Sequence, residues 1–311
     1  MKKYINISFV IPCFRSPLEL ESQIKKIINL CNESNFLYEI ILVEDFSCDN
    51  NKTWELIDRI VNIHKNIKAY KLSKNIGQQK ALIFGISKTK GDVVITLDDD
   101  LQHNIKIIPE MINILNNYDL VIAKLLLRKV NISRKIGSII VRFLAKKIFA
   151  LREEIFFSSF RAIKGNIARS SIEMTSYNPV LSFEIMEQTC NLTNVSIEQN
   201  KRVNGKSNYS IFTLIMTFLR LLIDYSNFFY TFFLTTSIFA TSISLFTSIY
   251  YLYKYFNGSI GVQGFASIII VLTSSVSIIF FGIGIIGYYL FQIQRNIKVK
   301  PFNNFSKFIE S

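Results

Sequence analysis

Over residues 1–125, short apolar runs alternate with stretches whose apolar positions recur at helical spacing. Ile7–Pro12 is an apolar run ending at a proline. Leu18–Leu30 follows it, with Leu20, Ile24, Ile27 and Ile28 on one side of a helix. The β-branched run Glu39–Val43 precedes Thr53–His64, where Trp54, Ile57, Ile60 and Val61 share a helical face. A third strand is expected at Ala69–Leu72, a helix at Gln78–Lys88, and the most strand-like run of all at Asp92–Leu97. Alternating strands and helices of these lengths imply a mostly parallel, doubly wound α/β sheet. In such sheets ligands sit beyond the carboxyl ends of the strands.

The pattern changes further along. Residues 126–210 are more basic and less regular, with Arg128, Arg134, Arg142, Arg152, Arg161, Arg169 and Arg202. Ile211–Tyr225 is amphipathic, as suits a helix lying in a membrane interface. No charged residue then occurs between Asp224 and Lys254, nor between Lys254 and Arg295. Two membrane helices are expected at Phe228–Leu252 and Phe265–Phe291, joined by a turn at Asn257-Gly258-Ser259 and Gly261. Each exceeds the ~20 residues that cross a hydrocarbon core, and a soluble helix pair of this length does not stay charge-free on every face. The domain order expected is therefore 1–125 and 126–210 as two halves of one globular domain, 211–227 as a juxtamembrane helix, 228–294 as a helical hairpin and 295–311 as a basic tail.

Charge sharpens the picture. The chain carries 36 Lys and Arg against 23 Asp and Glu, a net charge of +13. No basic run is interleaved with aromatics and no zinc-finger spacing occurs, so nucleic acid is not the expected partner. A basic protein with a hydrophobic end suits the inner face of an anionic membrane. Arg295, Lys298, Lys300 and Lys307 against the lone Lys254 in the loop place both termini on the cytoplasmic side of the inner membrane. Lys2 and Lys3 before Ile5–Ile11 read as the approach to a first strand, since the apolar run is too short and interrupted for a signal peptide. Cys13, Cys31, Cys48 and Cys190 form no C-x-x-C pair and read as reduced cytosolic thiols.

Three clusters carry candidate chemistry. Leu97-Asp98-Asp99-Asp100-Leu101-Gln102-His103 follows a strand directly. Three adjacent carboxylates repel one another unless a cation or donor neutralises them. Side chains alternate along extended backbone, so Asp98 and Asp100 point one way and Asp99 the other. Oxygen ligands on one side suit Mg²⁺ or Mn²⁺. The second cluster is Val43-Glu44-Asp45-Phe46-Ser47, at a strand end where carboxylates can meet a nucleobase or ribose; Ser47, Asp49 or Asn50 can equally cap the next helix. The third is Lys74-Asn75-Ile76-Gly77-Gln78-Gln79-Lys80-Ala81, opening a helix whose N-terminus, with Lys74, can meet phosphate.

Taken together these residues resemble the family 2 glycosyltransferases of GT-A fold, specifically the polyprenyl- and dolichol-phosphate sugar synthases. The family's V-I-P-x-Y-N-E strand end stands here as Val10-Ile11-Pro12-Cys13-Phe14-Arg15, and its V-D-D-G-S element as Val43-Glu44-Asp45-Phe46-Ser47. Its N-x-G element is Asn75-Ile76-Gly77, and its D-A-D-L-Q-H element is Asp98 to His103. Its S-G-F-R element is Ser158-Ser159-Phe160-Arg161, and its R-x-x-G-x-S-x-Y element runs from Arg202 through Gly205 and Ser207 to Tyr209. The match spans residues 7–210, and two trailing membrane helices fit the bacterial branch. Arg15, Glu44, Phe46 and Ser159 depart from the pattern, and Asn104-Ile105 stands where the family has Pro-Pro.

The resemblance implies an inverting transferase that moves a sugar from a nucleotide-sugar to a polyprenyl phosphate or other lipid-linked acceptor. It assigns Asp98, Asp100 and Gln102 to the metal and donor pyrophosphate. Pro12, Phe14, Glu44 and Asp45 go to the nucleoside, with Lys74 and Gly77 beside them. Arg128, Arg134, Arg161, Arg202 and Ser207 are the candidates for the acceptor phosphate, and Asp100, Arg161 and Arg202 for the chemical step. Transfer to a sugar hydroxyl would instead need a base such as Glu153, Glu154 or Glu184, and a non-catalytic membrane scaffold is the alternative outside enzymes. A homo-oligomer is left open.

Overall fold

A computed structural model of the chain describes residues 6–16, 19–99, 104–126, 132–151, 154–198, 224–226, 228–258, 264–297 and 299–311. Its contacts divide it into two units, one built on a sheet and one a helical hairpin.

The sheet unit begins with β1 (Asn6–Cys13), α1 (Leu20–Glu33), β2 (Leu37–Glu44), α2 (Lys52–Ile63), β3 (Ile67–Leu72), α3 (Gln78–Ile86) and β4 (Val93–Thr96). It continues with α4 (Ile108–Ile114), β5 (Leu120–Leu126), α5 (Ile132–Ile148), β6 (Arg161–Lys164), α6 (Gly165–Ser170), α7 (Leu181–Gln188) and β7 (Leu192–Glu198). The last strand, β8 (Phe305–Glu310), comes after the hairpin. Spatially the order is β7-β5-β6-β4-β1-β2-β3-β8. Strands β4, β1, β2 and β3 run parallel, whereas β6 is antiparallel to both β4 and β5.

The central strands read as near-continuous apolar runs because both their faces are covered, as in parallel sheets generally. Phe9, Ile11, Ile40, Leu42 and Ile95 are fully buried in one cluster with Ile24, Ile27, Trp54 and Ile57 from α1 and α2. On the other face α3 lies so close to β1 that a Cβ on Gly85 would stand 2.4 Å from Val10 Cγ1. The order β3-β2-β1-β4 reverses the direction of winding between β1 and β4, and such a switch point opens a crevice at the strand ends.

The hairpin consists of α8 (Phe228–Phe256) and α9 (Phe265–Asn296), of 29 and 32 residues. At 1.5 Å rise per residue each is longer than the ~30 Å hydrocarbon core. Both are long and apolar enough to cross a membrane. Their buried seam is made of small polar residues, Ser237, Ser244, Ser248 and Ser277. Ser248 and Thr273 hydroxyls meet at 2.6 Å across it. Phe239, Phe246 and Ile278 face outward.

The strands and helices expected over residues 1–125 and the two long apolar helices are present, with ends displaced by a few residues, while most of the helix expected at 211–227 lies outside the described residues. The residues expected as a basic tail instead return to the sheet unit. Val299 bridges Thr175, and β8 pairs antiparallel with β3, closing an edge that would otherwise be open.

Candidate active site

The carboxyl ends of β1, β2 and β4 bring three of the sequence clusters together. Asp99, just past β4, reaches across the switch point to β1, where its Oδ2 accepts a bond from Ser16 Oγ at 2.5 Å and a long one from Phe14 N–H at 3.5 Å. Asp98 points elsewhere, accepting from Gln78 Nε2 at 2.7 Å through Oδ1 and from Ser159 Oγ through Oδ2. Asp98 and Asp99 therefore take different partners, and Asp100, the third member of the expected alternation, lies outside the described residues. The backbone carbonyl of Asp98 accepts from Gln23 Nε2, on a buried side chain of α1, at 2.8 Å.

Glu44 and Asp45, which the sequence groups together, separate in the structure. Both Asp45 oxygens accept backbone N–H bonds at the start of α3, from Ile76 at 2.8 Å and Gly77 at 2.9 Å, while Asn75 Nδ2 donates to the Asp45 carbonyl at 2.9 Å. Asp45 is thus the clasp that fixes the Asn75–Gly77 loop. Burial pushes its carboxyl above the usual aspartate range, and the two N–H bonds oppose that rise. Gly77 is needed because its φ is +85°. Glu44 turns inward, where Oε1 accepts from Ser47 N–H at 2.6 Å and Oε2 is buried without a partner among the described residues. That oxygen has acceptor capacity to spare, as a ribose hydroxyl or base N–H would require.

The departures at Arg15 and Phe46 have a structural counterpart. Both residues take positive φ, +49° each. Arg15 N–H donates to Ser47 Oγ at 3.0 Å and its Nε to the Ser47 carbonyl at 3.3 Å, which ties the β1 end to the β2 end. Its guanidinium lies 5.4 Å from the centre of the exposed Phe14 ring. Pro12 forms part of β1, opposite Val43.

On β6, Arg161 pairs in register with Thr96 of β4 and Ile122 of β5 and is 4% exposed. Its Nε and Nη1 have no hydrogen-bond partner among the described residues. Burial pulls its pKa down to about 10, and the negative charge of Asp98 opposes that fall. A buried guanidinium is costly unless paired, and Asp98 is the carboxylate whose charge acts on it. Ser159, which stands where the family has glycine, donates its hydroxyl to Asp98.

Asp100, Gln102, Arg128, Arg202 and Ser207 lie outside the described residues, and Arg134 falls on α5. Lys74 is exposed, its ammonium 5.5 Å from the Phe302 ring. Of the candidate bases, Glu184 is buried and holds Ser176 through its N–H and hydroxyl, and Glu154 lies 3.9 Å from Arg142. Sequence reasoning missed Gln23, Gln78 and Ser159, all of which meet Asp98. It also missed Lys124, which with Arg142 flanks the Phe156 ring at 4.0 and 4.2 Å. Ser159, inside a motif, and Gln78, inside the cluster that opens α3, carried a signal without being assigned a role.

A doubly wound sheet with carboxylates at its switch point, flanked by a buried arginine, puts the candidate site where folds of this kind bind their ligands. Residues 8–173 match Glycosyl transferase family 2, and the chain belongs to that family. It is a glycosyltransferase. Among curated relatives it is 26% identical to an undecaprenyl-phosphate 4-deoxy-4-formamido-L-arabinose transferase of Yersinia enterocolitica, over 96% of this chain and 92% of that one. It is 28% identical to the protein of the same name from Yersinia pestis, over 67% of this chain and 64% of that one. Among solved structures, glucosyl-3-phosphoglycerate synthase of Mycobacterium tuberculosis, in complex with Mn²⁺, uridine-diphosphate and glucosyl-3-phosphoglycerate, superposes with a TM-score of 0.52 at 16% identity. That match covers 70% of this chain and 78% of that one. Mannosyl-3-phosphoglycerate synthase of Rubrobacter xylanophilus gives a TM-score of 0.53 at 13% identity, over 70% and 74% of the two chains. These structural likenesses bear on the fold.

Proposed function

We propose that the protein transfers a sugar, with inversion, from a nucleotide-sugar to a polyprenyl phosphate at the cytoplasmic face of the inner membrane. The observation that carries the reading is Arg161, a buried cation with two unused nitrogens beside Asp98 at the switch point. It supports an anionic substrate there, and the similarity along 96% of the chain to a transferase named for undecaprenyl phosphate supports which anion. Because β8 belongs to the same sheet as β1–β7, a chain that leaves this unit through α8 and returns after α9 crosses the membrane twice. That path supports the expected topology, with the basic residues inside.

The donor's nucleoside is assigned to the ends of β1 and β2, between Phe14 and the unpartnered Glu44 oxygen, with Asp45 holding the adjoining loop. Asp98, with Asp100 and Gln102 from the same motif, offers an oxygen-only donor set that fits Mg²⁺ or Mn²⁺. Such an ion supplies neutralisation of the charge that builds on the leaving nucleoside diphosphate. Arg161, together with Arg202, orients the acceptor phosphate by bidentate bonds. A lipid phosphate is already an anion at neutral pH. Its oxygen forms the new bond to the anomeric carbon as the bond to the leaving diphosphate breaks on the opposite face, and no general base is required. The engagement of Glu184 with Ser176 agrees with this.

The test is a screen of UDP-, GDP- and CDP-linked sugars against a short-chain polyprenyl phosphate, using the full chain in detergent with Mg²⁺ or Mn²⁺. One donor should yield organic-extractable labelled sugar, and EDTA should abolish it. Undiminished turnover in EDTA would remove the metal from the account, and transfer only to lipid-linked saccharides would replace the acceptor.

A further inference from the structure

We infer that the segment after the helical hairpin is a positioning element of the donor side of the site, with Phe302 setting the Lys74–Gly77 loop. The inference rests on the reading of that loop as part of the donor site.

The path of the segment carries the argument. Val299 and Thr175 exchange backbone bonds of 3.0 and 2.8 Å. The chain then brings Phe302 onto a buried cluster of Ile41, Val43, Tyr70, Leu72, Ala81 and Phe84, the same cluster on which Ile76 packs. Lys74, just before α3, sets its ammonium 5.5 Å from the Phe302 ring. Lys88, just after α3, donates to Asn303 Oδ1 at 2.7 Å. From there β8 runs along β3, with Phe305 and Phe308 against Tyr70 at 5.4 and 4.8 Å between ring centres. The segment therefore meets residues at both ends of α3, Lys74 before it and Lys88 after it.

The loop itself has little else to hold it. Ser73, Lys74 and Asn75 are exposed, and beyond its two chain neighbours no described residue has an atom within 4 Å of where a Cβ on Gly77 would stand. The Asp45 clasp holds it on one side and Phe302 supports it on the other. Its placement also reaches Asp98, because Gln78, the residue after Gly77, donates to the Asp98 carboxylate at 2.7 Å. Loss of Phe302 should thus loosen the loop and weaken donor binding without touching the reacting atoms.

The experiment compares the full chain in detergent with Phe302→Ala and Phe302→Tyr, reading backbone hydrogen exchange and steady-state kinetics. In Phe302→Ala, amides of residues 74–81 should exchange about fivefold faster or more, with peptides from β1 and β2 unchanged. Donor KM should rise about fivefold with kcat within about twofold, the pattern of lost uniform binding. Phe302→Tyr, which keeps the ring, should restore both. Unchanged exchange in the loop, loosening of the whole sheet, or a fall in kcat at constant KM would each overturn the inference. If the unaltered chain turns over none of the nucleotide-sugars, the functional reading fails, and the exchange contrast alone decides the positioning role.

Discussion

The two sides of the candidate site are built differently. Around β2 and α3 most donors and acceptors satisfy one another, the Glu44 Oε2 atom being the exception among the described residues. Asp45 holds Ile76 and Gly77, Ser47 holds Arg15, and Glu44 holds Ser47. Around β6 the chain buries Arg161 with two nitrogens unused among the described residues and Asp98 as the charge that acts on it. Burying guanidinium N–H groups without acceptors costs free energy even where a carboxylate balances the charge, whereas a hydrogen-bonded loop carries no such cost. The side proposed for the donor is therefore held by its own hydrogen bonds, and the side proposed for the acceptor keeps Arg161 N–H groups for an anion to use.

That contrast orders the expected effects. The largest is at Asp98, which faces both the proposed metal and Arg161. Asp98→Asn should lower turnover by about 10²-fold or more, the scale of losing one well-placed charge-stabilising group. It should also lower the unfolding temperature, since removing one partner of a buried charge pair leaves the other uncompensated. The double variant Asp98→Asn with Arg161→Met should recover the unfolding temperature and none of the turnover. If stability does not recover, the two residues do not share a charge balance.

Next in size is Arg161 alone. Arg161→Lys keeps the charge and loses the fork, so activity against polyprenyl phosphate should fall about tenfold, equivalent to ~1.4 kcal/mol. Binding of the nucleoside diphosphate, read by titration calorimetry, should barely change. Loss of nucleotide binding with acceptor use intact would reverse the assignment of the two sides.

Smaller again is Asp45→Asn. An amide offers one acceptor atom to two N–H groups, leaving one unsatisfied at about 1–3 kcal/mol. Donor KM should rise several-fold and acceptor KM stay constant, as initial rates at varied donor would reveal. The smallest effect belongs to the hairpin. Ser248→Ala removes a bond between helices worth about 0.6 kcal/mol on average in a membrane. Activity should be unchanged, and only thermal stability in detergent should move.

Much of this was legible in the sequence, for identifiable reasons. Helices α1 and α2 were visible because Ile24, Ile27, Ile57 and Ile60 bury one face each. The hairpin was visible because water does not tolerate two helices of this length with no charge on any face, whereas hydrocarbon requires them. The division of labour between Glu44 and Asp45 was not, because Asp45 is engaged some 31 positions away by Ile76, and adjacency along the chain gives no hint of it. Strand β8 was hidden too. Phe305-Ser306-Lys307-Phe308-Ile309-Glu310 is a short edge strand with mostly exposed side chains, and its lysine blended with the basic residues before it. Arg161 was singled out by its motif, but its burial depends on pairing with both β4 and β5, which no local pattern conveys.

The central claim is that the attacking group is a lipid phosphate rather than a hydroxyl. The most direct measurement offers the purified full chain the same nucleotide-sugar with polyprenyl phosphate and, separately, with the matching polyprenol. The product is then read by mass spectrometry and its anomeric configuration by NMR. The account predicts a polyprenyl-phosphate sugar of inverted configuration and no product from the alcohol. Sugar joined to the alcohol, or a phosphate-linked product of retained configuration, would contradict it.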